Sequence, residues 1–479
     1  MSRQRSVESW RVMATPLAAA ALATLGNNAS GAGFALAEQN ASGLGSVFAG
    51  QAALADDASV IFFNPAGLIR LKPRRQFVAA AHYVKPTSRF SDSGSCAPFA
   101  GTGAGTATCP FGPAGNLGHA PGGDGGEVSE AAYVPNLYAA WQLPVGNVWA
   151  GIGINAPFGL ETKRDPTWIG RFRAIDSRTR TVNVNPTLAF SPVEGLSVGV
   201  GLNAQRLDAT LSNAVSYRAL ALASGSPALI AAVPGGSEGV ATVKGHDWGF
   251  GWNLGIDQSL MSDALHLAVA YRSPIRYTLS GSVAFAGRPA ALGAVPQVAD
   301  GKVKADIELP GMLSIAAAWK DAALPITLMT DWTHTGWNSI QDLTIARDDG
   351  SGATLGSTPL RLRNSWRAGV GAAWDITPGW RVRAGFAHET SPVQDAFRTP
   401  RLSDSSRNWY GFGVRWSNST FDKPAGGLAI DFGIALVRPK DASSGLPNQE
   451  TPQSPPQGTL LGSYTSRATI IGMQVTSSY

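Results

Sequence analysis

Few residues of this chain have the types and spacing needed for covalent chemistry. Gly235-Gly236-Ser237-Glu238-Gly239 matches the nucleophile-elbow pattern. That chemistry needs a strand, a sharp turn and a helix to expose the serine, whereas here a glycine-rich loop leads into a predicted strand. None of the six histidines has an evident serine partner, and the sequence contains no phosphate loop, HExxH pair or other metal-type spacing. We therefore expect a protein that is not an enzyme and has no cofactor and no metal.

The two cysteines, Cys96 and Cys109, lie in one stretch rich in glycine, serine and proline. An exported protein meets an oxidising compartment, so a disulfide that closes this loop is predicted. In the chain-entropy model a loop of this size would stabilise the fold by about 3 kcal/mol. The alternative is two free thiols.

The composition is unusual for a soluble enzyme. Charged residues make up 15% of the chain, against about 25% in a typical soluble domain. The 56 glycines and 14 tryptophans favour a membrane barrel of glycine-rich strands. The net charge of +5 comes from scattered arginines, which argues against a nucleic-acid partner because such a face needs clustered basic residues.

The N-terminus is typical of a secretory signal. Arg3, Arg5 and Arg11 precede an uncharged stretch at 12–25, and small residues follow it. This pattern predicts a cleaved signal peptide at residues 1–32. The alternative is an N-terminal membrane anchor, but the stretch is shorter than the ~20 residues that a spanning helix needs.

No later segment predicts a membrane helix. The best window, Ala219 to Gly236, is interrupted by Pro227 and Pro234. If the mature chain lies in a membrane it must therefore cross as strands, and only a closed barrel then satisfies every backbone group in lipid.

Period-two alternation recurs along the chain and predicts strands. One run places Trp366, Ala368, Val370, Ala372 and Trp374 on one face, opposite Arg367, Gly369, Gly371 and Asp375. Tryptophan at both ends of an apolar face is typical of the aromatic girdles of a membrane barrel. The length of this run also matches the ~9–11 residues with which a tilted strand crosses a bilayer.

The connections predict the number of strands. Six tight turns are predicted near 144–146, 192–195, 262–264, 321–325, 377–379 and 422–427. Seven longer segments are predicted near 88–132, 161–173, 216–237, 286–300, 347–359, 395–404 and 441–462. Thirteen connections give fourteen antiparallel strands over residues 76–479, with the short turns in the periplasm. The chain ends on the aromatic Tyr479, which resembles the signal read by the outer-membrane assembly machinery.

Residues 33–75 do not alternate, and short helical turns are expected near 46–55 and 58–63. This segment is rich in small residues but contains Phe34, Leu36, Phe48 and three consecutive apolar residues at 61–63. Such a segment ahead of a barrel predicts a plug, or hatch, inside the lumen. The alternative is a periplasmic tail, which would not need these large apolar side chains.

The same segment resembles the hatch of the FadL-type outer-membrane long-chain fatty-acid transporters, a family that also includes aromatic-hydrocarbon transporters. The matching words are Ala32-Gly33-Phe34, Ala37-Glu38-Gln39, Ser42-Gly43-Leu44-Gly45, Ala55-Asp56-Asp57-Ala58 and Asn64-Pro65-Ala66. Further on, Gly245 to Gly255 matches a tryptophan-rich family signature, so the resemblance covers nearly the whole mature chain.

The resemblance implies passive uptake of hydrophobic small molecules, either long-chain fatty acids or related hydrocarbons. A ligand would be captured by outer loops, enter an apolar pocket above the hatch, and leave sideways through the wall. The expected apolar contacts are Phe34, Leu220, Leu222, Leu229 and Ile230, and the expected basic contacts are Arg206, Arg218 and Lys244.

The third predicted strand offers a place for the lateral opening. It contains Gly151, Gly153 and Pro157, and proline belongs at a kink, a bulge or an unpaired edge because it cannot donate to the ladder. The resemblance implies an inward kink here, next to Asn64-Pro65-Ala66 of the hatch. The alternatives are a proline that ends the strand before Glu161 and a simple Asn-Pro turn.

The group that would bind a carboxylate is left open by the sequence. The resemblance implies basic lumenal residues, but Asn213 and Thr344 stand near the positions where an arginine and a lysine are expected. A neutral hydrocarbon is therefore an alternative substrate.

Two further functions are kept as alternatives, a general diffusion porin and an outer-membrane lipid-hydrolysing enzyme. In every case the expected location is the Gram-negative outer membrane. The expected partners are its lipid and lipopolysaccharide and, during biogenesis, its assembly machinery. A monomer is expected.

Overall fold

The computed structural model describes residues 32–72, 74–95, 122–128, 130–321, 323–419, 421, 423, 426–444 and 460–479. The predicted signal peptide, apart from Ala32, and both cysteines lie outside these residues.

The described chain forms one closed antiparallel barrel of fourteen strands, as predicted. Each strand pairs with the next, and Gln76 to Asp92 pair with Ser478 to Gly462 to close the ring. Short stretches at Glu127–Val128 and Ala442–Ser444 extend the sheet at its upper rim, which is the end with the long loops. The strands are β1 (Arg75–Asp92), β2 (Ala132–Gln142), β3 (Val148–Asn155 and Gly159–Lys163), β4 (Asp176–Val193), β5 (Leu196–Ser216), β6 (Glu238–Leu260), β7 (Leu265–Arg272 and Ile275–Ala286), β8 (Gly301–Leu309 and Met312–Lys320), β9 (Ile326–Thr335 and Asp342–Arg347), β10 (Thr354–Pro359 and Ser365–Thr377), β11 (Trp380–Glu389), β12 (Arg407–Ser417), β13 (Gly427–Pro439) and β14 (Gly462–Ser478).

Five of these strands are interrupted, which the alternation did not predict except in β3. The breaks in β7 and β8 contain Pro274 and Pro310, which have no N–H to donate to a neighbouring strand. The predicted long loop at 347–359 is shorter than expected, because the strand resumes at Thr354.

The alternation sorts side chains between lipid and lumen as predicted. Trp366 and Trp374 are 40% and 51% exposed on the outer face. Between them Arg367 points inward, where it is buried and paired with Asp331 at 2.9 Å. None of the helices in the described residues is long and apolar enough to span a bilayer.

Residues 32–72 fill the lumen of the barrel. They contain the helix α1 (Val60–Phe63) and two 3-10 turns, Leu44–Ser46 and Pro65–Arg70. The wall meets this plug with glycines. Gly199, Gly255 and Gly385 would each clash with the hatch if they carried a Cβ. The many inward glycines therefore allow close contact between the backbones of wall and plug.

The outer loops contain the remaining helices. Helices α2 (Tyr217–Ala223) and α3 (Pro227–Ala232) lie between β5 and β6 and begin at the serine caps Ser216 and Ser226. The shorter 3-10 turns are Ala290–Leu292, Pro296–Val298, Trp337–Ser339 and Asp395–Phe397.

Candidate functional site

The barrel wall has a gap between β2 and β3. β3 stops at Asn155 and resumes at Gly159, where it pairs with β4 alone. β2 pairs with β3 only from Leu137 to Gln142. Its upper part, at 132–136, therefore lacks a neighbour on the β3 side, and this part contains Pro135.

The upper end of the hatch closes this gap with hydrogen bonds. The N–H of Leu36 donates to the carbonyl of Pro157 at 2.8 Å, and the N–H of Gly159 donates to the carbonyl of Phe34 at 2.9 Å. The Gln39 side chain donates to the carbonyl of Ala156 at 3.0 Å. The hatch thus supplies the partners that a continuous β3 would have found in a neighbouring strand.

The β2 side of the gap is bound to the same hatch segment. The Asn136 amide donates to the carbonyl of Glu38 at 2.9 Å, and the Tyr138 hydroxyl donates to the carbonyl of Gln39 at 2.9 Å. Residues 34–39 therefore bridge the two edges of the opening. We call them the seal.

Gly151 and Gly153, which the sequence analysis placed on β3, lie against buried side chains below the gap. A Cβ on Gly151 would lie 2.7 Å from Ile61 of the hatch, and one on Gly153 would lie 3.0 Å from the ring of Tyr138. The two glycines therefore leave room for α1 and for the buried tyrosine beside the opening.

Asn64 fixes the base of the hatch to the wall. Its side-chain amide donates to the carbonyls of Ala52 at 2.8 Å and of Ile256, in β6, at 3.1 Å. Its side-chain oxygen accepts from the N–H of Ala66 at 3.0 Å, which caps the turn that begins at Pro65. Asn64-Pro65-Ala66 thus forms a capped turn docked on β6.

A buried ion cluster holds the same end of the hatch. Asp56 accepts from Arg381 at 3.0 Å and from Arg383 at 3.1 Å, and Arg383 also contacts Asp431 at 3.0 Å. Burial alone would raise the pKa of Asp56, but Arg383, Arg381 and Arg415 together hold this pKa well below its usual range. Arg70 makes a further ion pair, with Asp257 of β6, at 3.2 Å.

The seal contains one buried acid, Glu38, whose side chain is fully buried. Neither of its carboxylate oxygens bonds a described side chain. The pKa of Glu38 is raised to about 7, mainly by burial and also by the nearby Glu389, against the lowering effects of backbone N–H groups and of Arg407. Glu38 therefore changes charge near neutral pH.

A large apolar cavity, the upper cavity, lies above the hatch. It contains about 1060 Å³ of empty space, part of it open to solvent. Phe34 forms its floor and packs against two further aromatic rings, with 4.7 Å to Trp337 and 6.0 Å to Phe158 between ring centres. The rest of the wall is mostly aliphatic, including Leu160, Leu207, Leu279, Ile307, Ile340, Leu343 and Leu402.

Arg401 is a cationic side chain that reaches into the upper cavity. It donates to the carbonyl of Asp176 at 3.2 Å, the hydroxyl of Ser177 at 2.8 Å and the side-chain oxygen of Asn213 at 3.1 Å. Burial lowers the pKa of Arg401 to about 10, so it stays charged at neutral pH. No Asp or Glu is among the described residues that line this cavity, so the guanidinium is held by neutral acceptors.

A second cavity, the lower cavity, lies on the other side of the seal and contains about 980 Å³. Ala35, Leu36 and Ala37 form part of its wall, so the seal separates it from the upper cavity and from the gap. Arg272 borders it and is 7% exposed. Arg272 donates to Asn203 and to the carbonyl of Phe62, and its guanidinium lies 4.5 Å from the centre of the Phe62 ring. Within the described chain no carboxylate pairs with it.

The expected apolar contacts separate into two places. Phe34 lies at the floor of the upper cavity. Leu220 and Leu229 instead pack in an outer-loop cluster around Tyr217 and Leu292, and Leu222 and Ile230 lie half-buried on the same two helices. None of these four loop residues lines either cavity.

The expected basic contacts also lie elsewhere. Arg206 bonds Asp208 at 2.9 Å and shares the outward alternation of Val200 and Leu202. Arg218 donates to the carbonyls of Ile230 and Val233 and so ties α3 to α2. Lys244 borders the upper cavity, but it is exposed and has the outward alternation of Trp248 and Phe250. Arg206 and Arg218 already have partners in the fold, and Arg206 and Lys244 have outward parity, so the structure does not favour any of the three as the ligand of a carboxylate.

In the part of the chain that the structure describes, the residues that suggested other chemistry are not arranged as a catalytic site. Ser237 leads into β6 and begins no helix. Among the described residues no histidine hydrogen-bonds a serine, and no group of His, Cys, Asp and Glu could hold a metal ion.

The sequence-based interpretation missed Arg401 and Arg272. Arg401 lies in an outer loop without periodicity, and its hydrogen-bond partners are about 190 to 225 positions away in the chain. Arg272 ends a regular strand. Its position in the alternation placed its side chain on the inward face, and this could have identified it as a lumenal cation.

Comparison with known proteins gives the same architecture and a family. The family described as "Outer membrane protein transport protein (OMPP1/FadL/TodX)" matches residues 22–479. The "47 kDa outer membrane protein" of Pasteurella multocida is 30% identical over 434 residues, covering 88% of this chain and 91% of that protein. The "Long-chain fatty acid transport protein" of Salmonella typhi is 27% identical over 430 residues, covering 88% and 90%. The crystal structure of a Pseudomonas aeruginosa FadL homologue superposes with a TM-score of 0.78 at 24% identity, covering 93% of this chain and 99% of that one.

Proposed function

This chain belongs to the outer membrane protein transport family (OMPP1/FadL/TodX), and on that premise we propose that it takes up long-chain carboxylic acids by passive diffusion. Arg401 carries the proposal. Among the described residues this charged guanidinium bonds neutral acceptors only, in a cavity that none of their carboxylates lines. Such a site matches a ligand with one anionic head and a hydrocarbon tail.

The aliphatic wall would bind the tail. Burying each methylene of a hydrocarbon chain contributes about 0.8 kcal/mol, so a long chain gains most of its binding energy from the leucines and isoleucines of the upper cavity. The carboxylate would take a charge-assisted hydrogen bond from Arg401, near Asn213. Asn213 stands where the family resemblance implies an arginine, and the Arg401 side chain, which bonds Asn213, would supply the cation there.

The ligand would then pass the aromatic floor and enter the lower cavity. Phe34 belongs to the upper cavity and its neighbour Ala35 to the lower one, so a displacement of the seal opens one cavity to the other. Arg272 would meet the carboxylate there, because its guanidinium also lacks a carboxylate partner within the described residues. Two cations on one route lower the cost of moving a charge through the wall.

Exit would be lateral, through the gap between β2 and β3. Moving residues 34–39 frees the route to the wall and leaves the ion cluster around Asp56 intact. A straight path to the periplasm would instead require breaking that buried cluster, at about 3–5 kcal/mol for each buried pair that is broken. The occupied lumen also disfavours a general porin, which needs an open aqueous channel.

The remaining expected partners fit the same proposal. The route lies within one closed ring, so a monomer is sufficient for transport. The exposed aromatic side chain of Tyr479, which directly follows β14, would suit recognition by the outer-membrane assembly machinery. The predicted signal peptide would direct export.

Binding of a matched pair of ligands tests the proposal. Palmitic acid and cetyl alcohol have the same hydrocarbon chain but differ in charge. We expect native mass spectrometry of the detergent-solubilised protein to show tighter binding of the acid. Arg401→Met should weaken the acid about tenfold or more, since a hydrogen bond to a charged group contributes about 1.5–3 kcal/mol, and should leave the alcohol unchanged.

The matched control is Arg206→Met, which removes an arginine from the outer face. It should leave both ligands within twofold of the unaltered protein. Equal affinity for acid and alcohol, unaffected by Arg401→Met, would overturn the carboxylate assignment and favour a neutral ligand.

A further inference from the structure

The outer face of the barrel carries a group of cations where the first and last strands meet. Lys85 and Arg89 lie on β1, Arg467 lies on β14 and Arg438 lies on β13. All four side chains are exposed. Each has the outward parity of a lipid-facing neighbour such as Phe77, Met473 or Leu436, all of which are exposed.

The strand register places these four residues close together. Arg467 is opposite Thr87, while Lys85 is opposite Thr469 and Arg89 is opposite Thr465. Val437 is opposite Ala468 in this antiparallel pair, so continuing the register by one residue places Arg438 opposite Arg467. Adjacent strands are about 4.8 Å apart and residues two positions apart along a strand about 7 Å, so the backbone sites fit within roughly 15 Å. We call this group the seam cluster.

The seam cluster lacks the anions that neutralise other outer-face arginines. Arg276 is paired with Glu308 and Arg206 with Asp208. In the described chain none of the four seam residues has a carboxylate within ion-pair distance, and the Nε of Arg467 donates to the Thr87 hydroxyl at 3.1 Å. The nearest acid by register is Glu127, opposite Arg89 at the upper rim.

The height of the cluster points to a lipid headgroup. Lys85 is two residues above Tyr83, whose ring lies 5.5 Å from that of the exposed Tyr133. Tyr410 and Leu436 are exposed at a similar level on the neighbouring strands. Exposed tyrosines mark the membrane interface. By register Lys85 is level with Leu436, and the three arginines lie above this level, on the side of the long loops.

We propose that the seam cluster binds the phosphates of lipid A, with the acyl chains lying on the tyrosines and leucine below. The long-loop end of such a barrel faces the cell exterior, and lipid A is the phosphorylated anchor of lipopolysaccharide in that leaflet. Arginine suits this ligand because its planar fork matches phosphate oxygens. The inference concerns the outer surface and is independent of the transported substrate.

The test is native mass spectrometry of the detergent-solubilised protein with bisphosphorylated lipid A, and with the same lipid lacking one phosphate. The test variant is Arg438→Gln/Arg467→Gln. The matched control is Arg206→Gln/Arg276→Gln, which also removes two outer-face arginines. We expect the seam variant to bind bisphosphorylated lipid A at least tenfold more weakly, with the control within twofold. Removing one phosphate should weaken binding to the unaltered protein severalfold.

A charge-preserving variant separates recognition from folding. Arg438→Lys/Arg467→Lys should keep most of the affinity, while β-sheet circular dichroism should be the same for all variants. The proposal is overturned if the seam and control variants bind lipid A equally. It is also overturned if the unaltered protein binds phosphatidylglycerol as tightly as lipid A.

Discussion

The lower part of the hatch, residues 56–70, and the seal at residues 34–39 contact the same barrel through different groups. The lower part is held by buried ion pairs, with Asp56 between Arg381 and Arg383, and by Arg70 on Asp257. The seal is held by hydrogen bonds between neutral groups, all of them accepted by backbone carbonyls. The first set of bonds is lost only by leaving charges buried and unpaired, whereas water or a ligand can replace the second.

This difference assigns the two parts different roles. A buried ion pair that loses one partner costs about 3–5 kcal/mol, while a neutral hydrogen bond contributes about 0.5–1.5 kcal/mol net. Motion that admits a ligand should therefore be confined to the seal, with the base of the hatch fixed. The following predictions test that division.

The largest effect is expected for Asp56→Ala. The substitution leaves Arg381, Arg383 and Arg415 facing one another with one carboxylate fewer, so the base of the hatch should lose about 3–5 kcal/mol of docking free energy. Hydrogen exchange followed by mass spectrometry should show faster exchange over residues 50–63. The exposed pair offers the control, since Asp208→Ala should leave these peptides unchanged. Exchange that stays slow in Asp56→Ala would show that the ion cluster does not anchor the hatch.

A smaller, pH-dependent effect is expected at Glu38. Its pKa in the folded protein is raised to about 7 from an ordinary value of 4.5. The docked seal is therefore most stable below pH 4.5 and loses stability as the pH rises through about 7. A shift of this size corresponds to at most about 3 kcal/mol.

Glu38→Gln should remove this pH dependence because the amide does not ionise. Exchange of residues 34–39 should rise between pH 5 and pH 8 in the unaltered protein and should be flat in the variant, after correction for the intrinsic exchange rate. For peptides from residues 56–70, the corrected exchange should depend on pH in the same way in the unaltered protein and in the variant. A seal whose corrected exchange is the same at both pH values would contradict the prediction.

The smallest effect is expected for Gln39→Met. The substitution keeps the volume but removes the donor to the Ala156 and Leu36 carbonyls, at 3.0 and 2.9 Å, at a cost of about 1–2 kcal/mol. Uptake of a fluorescent fatty acid into cells should become faster, because the seal opens more easily. A slower rate with unchanged expression would show that Gln39 guides the ligand and does not restrain it.

The architecture was predictable because it follows from a repeating physical constraint. A wall strand between lipid and lumen must alternate, so the run from Trp366 to Trp374 predicted both its outer tryptophans and the inward Arg367. Turn residues then gave the number of strands. The strand breaks at Pro310 and 336–341 were not predicted, since a short polar interruption looks the same in a sequence whether the strand ends or continues.

The site was less predictable because its residues come from distant parts of the chain. Arg401 depends on Ser177 and Asn213 for its position, and these contacts leave no local pattern. The outward position of Arg206 and Lys244, by contrast, was available in the sequence. They have the same parity as Leu202 and Trp248, which the alternation already assigns to the outer face.

The pairing of β1 with β14 has a consequence for how the molecule is assembled. The ring cannot close before the final strand has been exported, whereas the plug is made first and runs directly into β1. We therefore expect the barrel to close around a hatch that is already present. Nothing needs to be threaded through a finished cylinder, and we expect a chain without residues 33–72 to close around an open lumen.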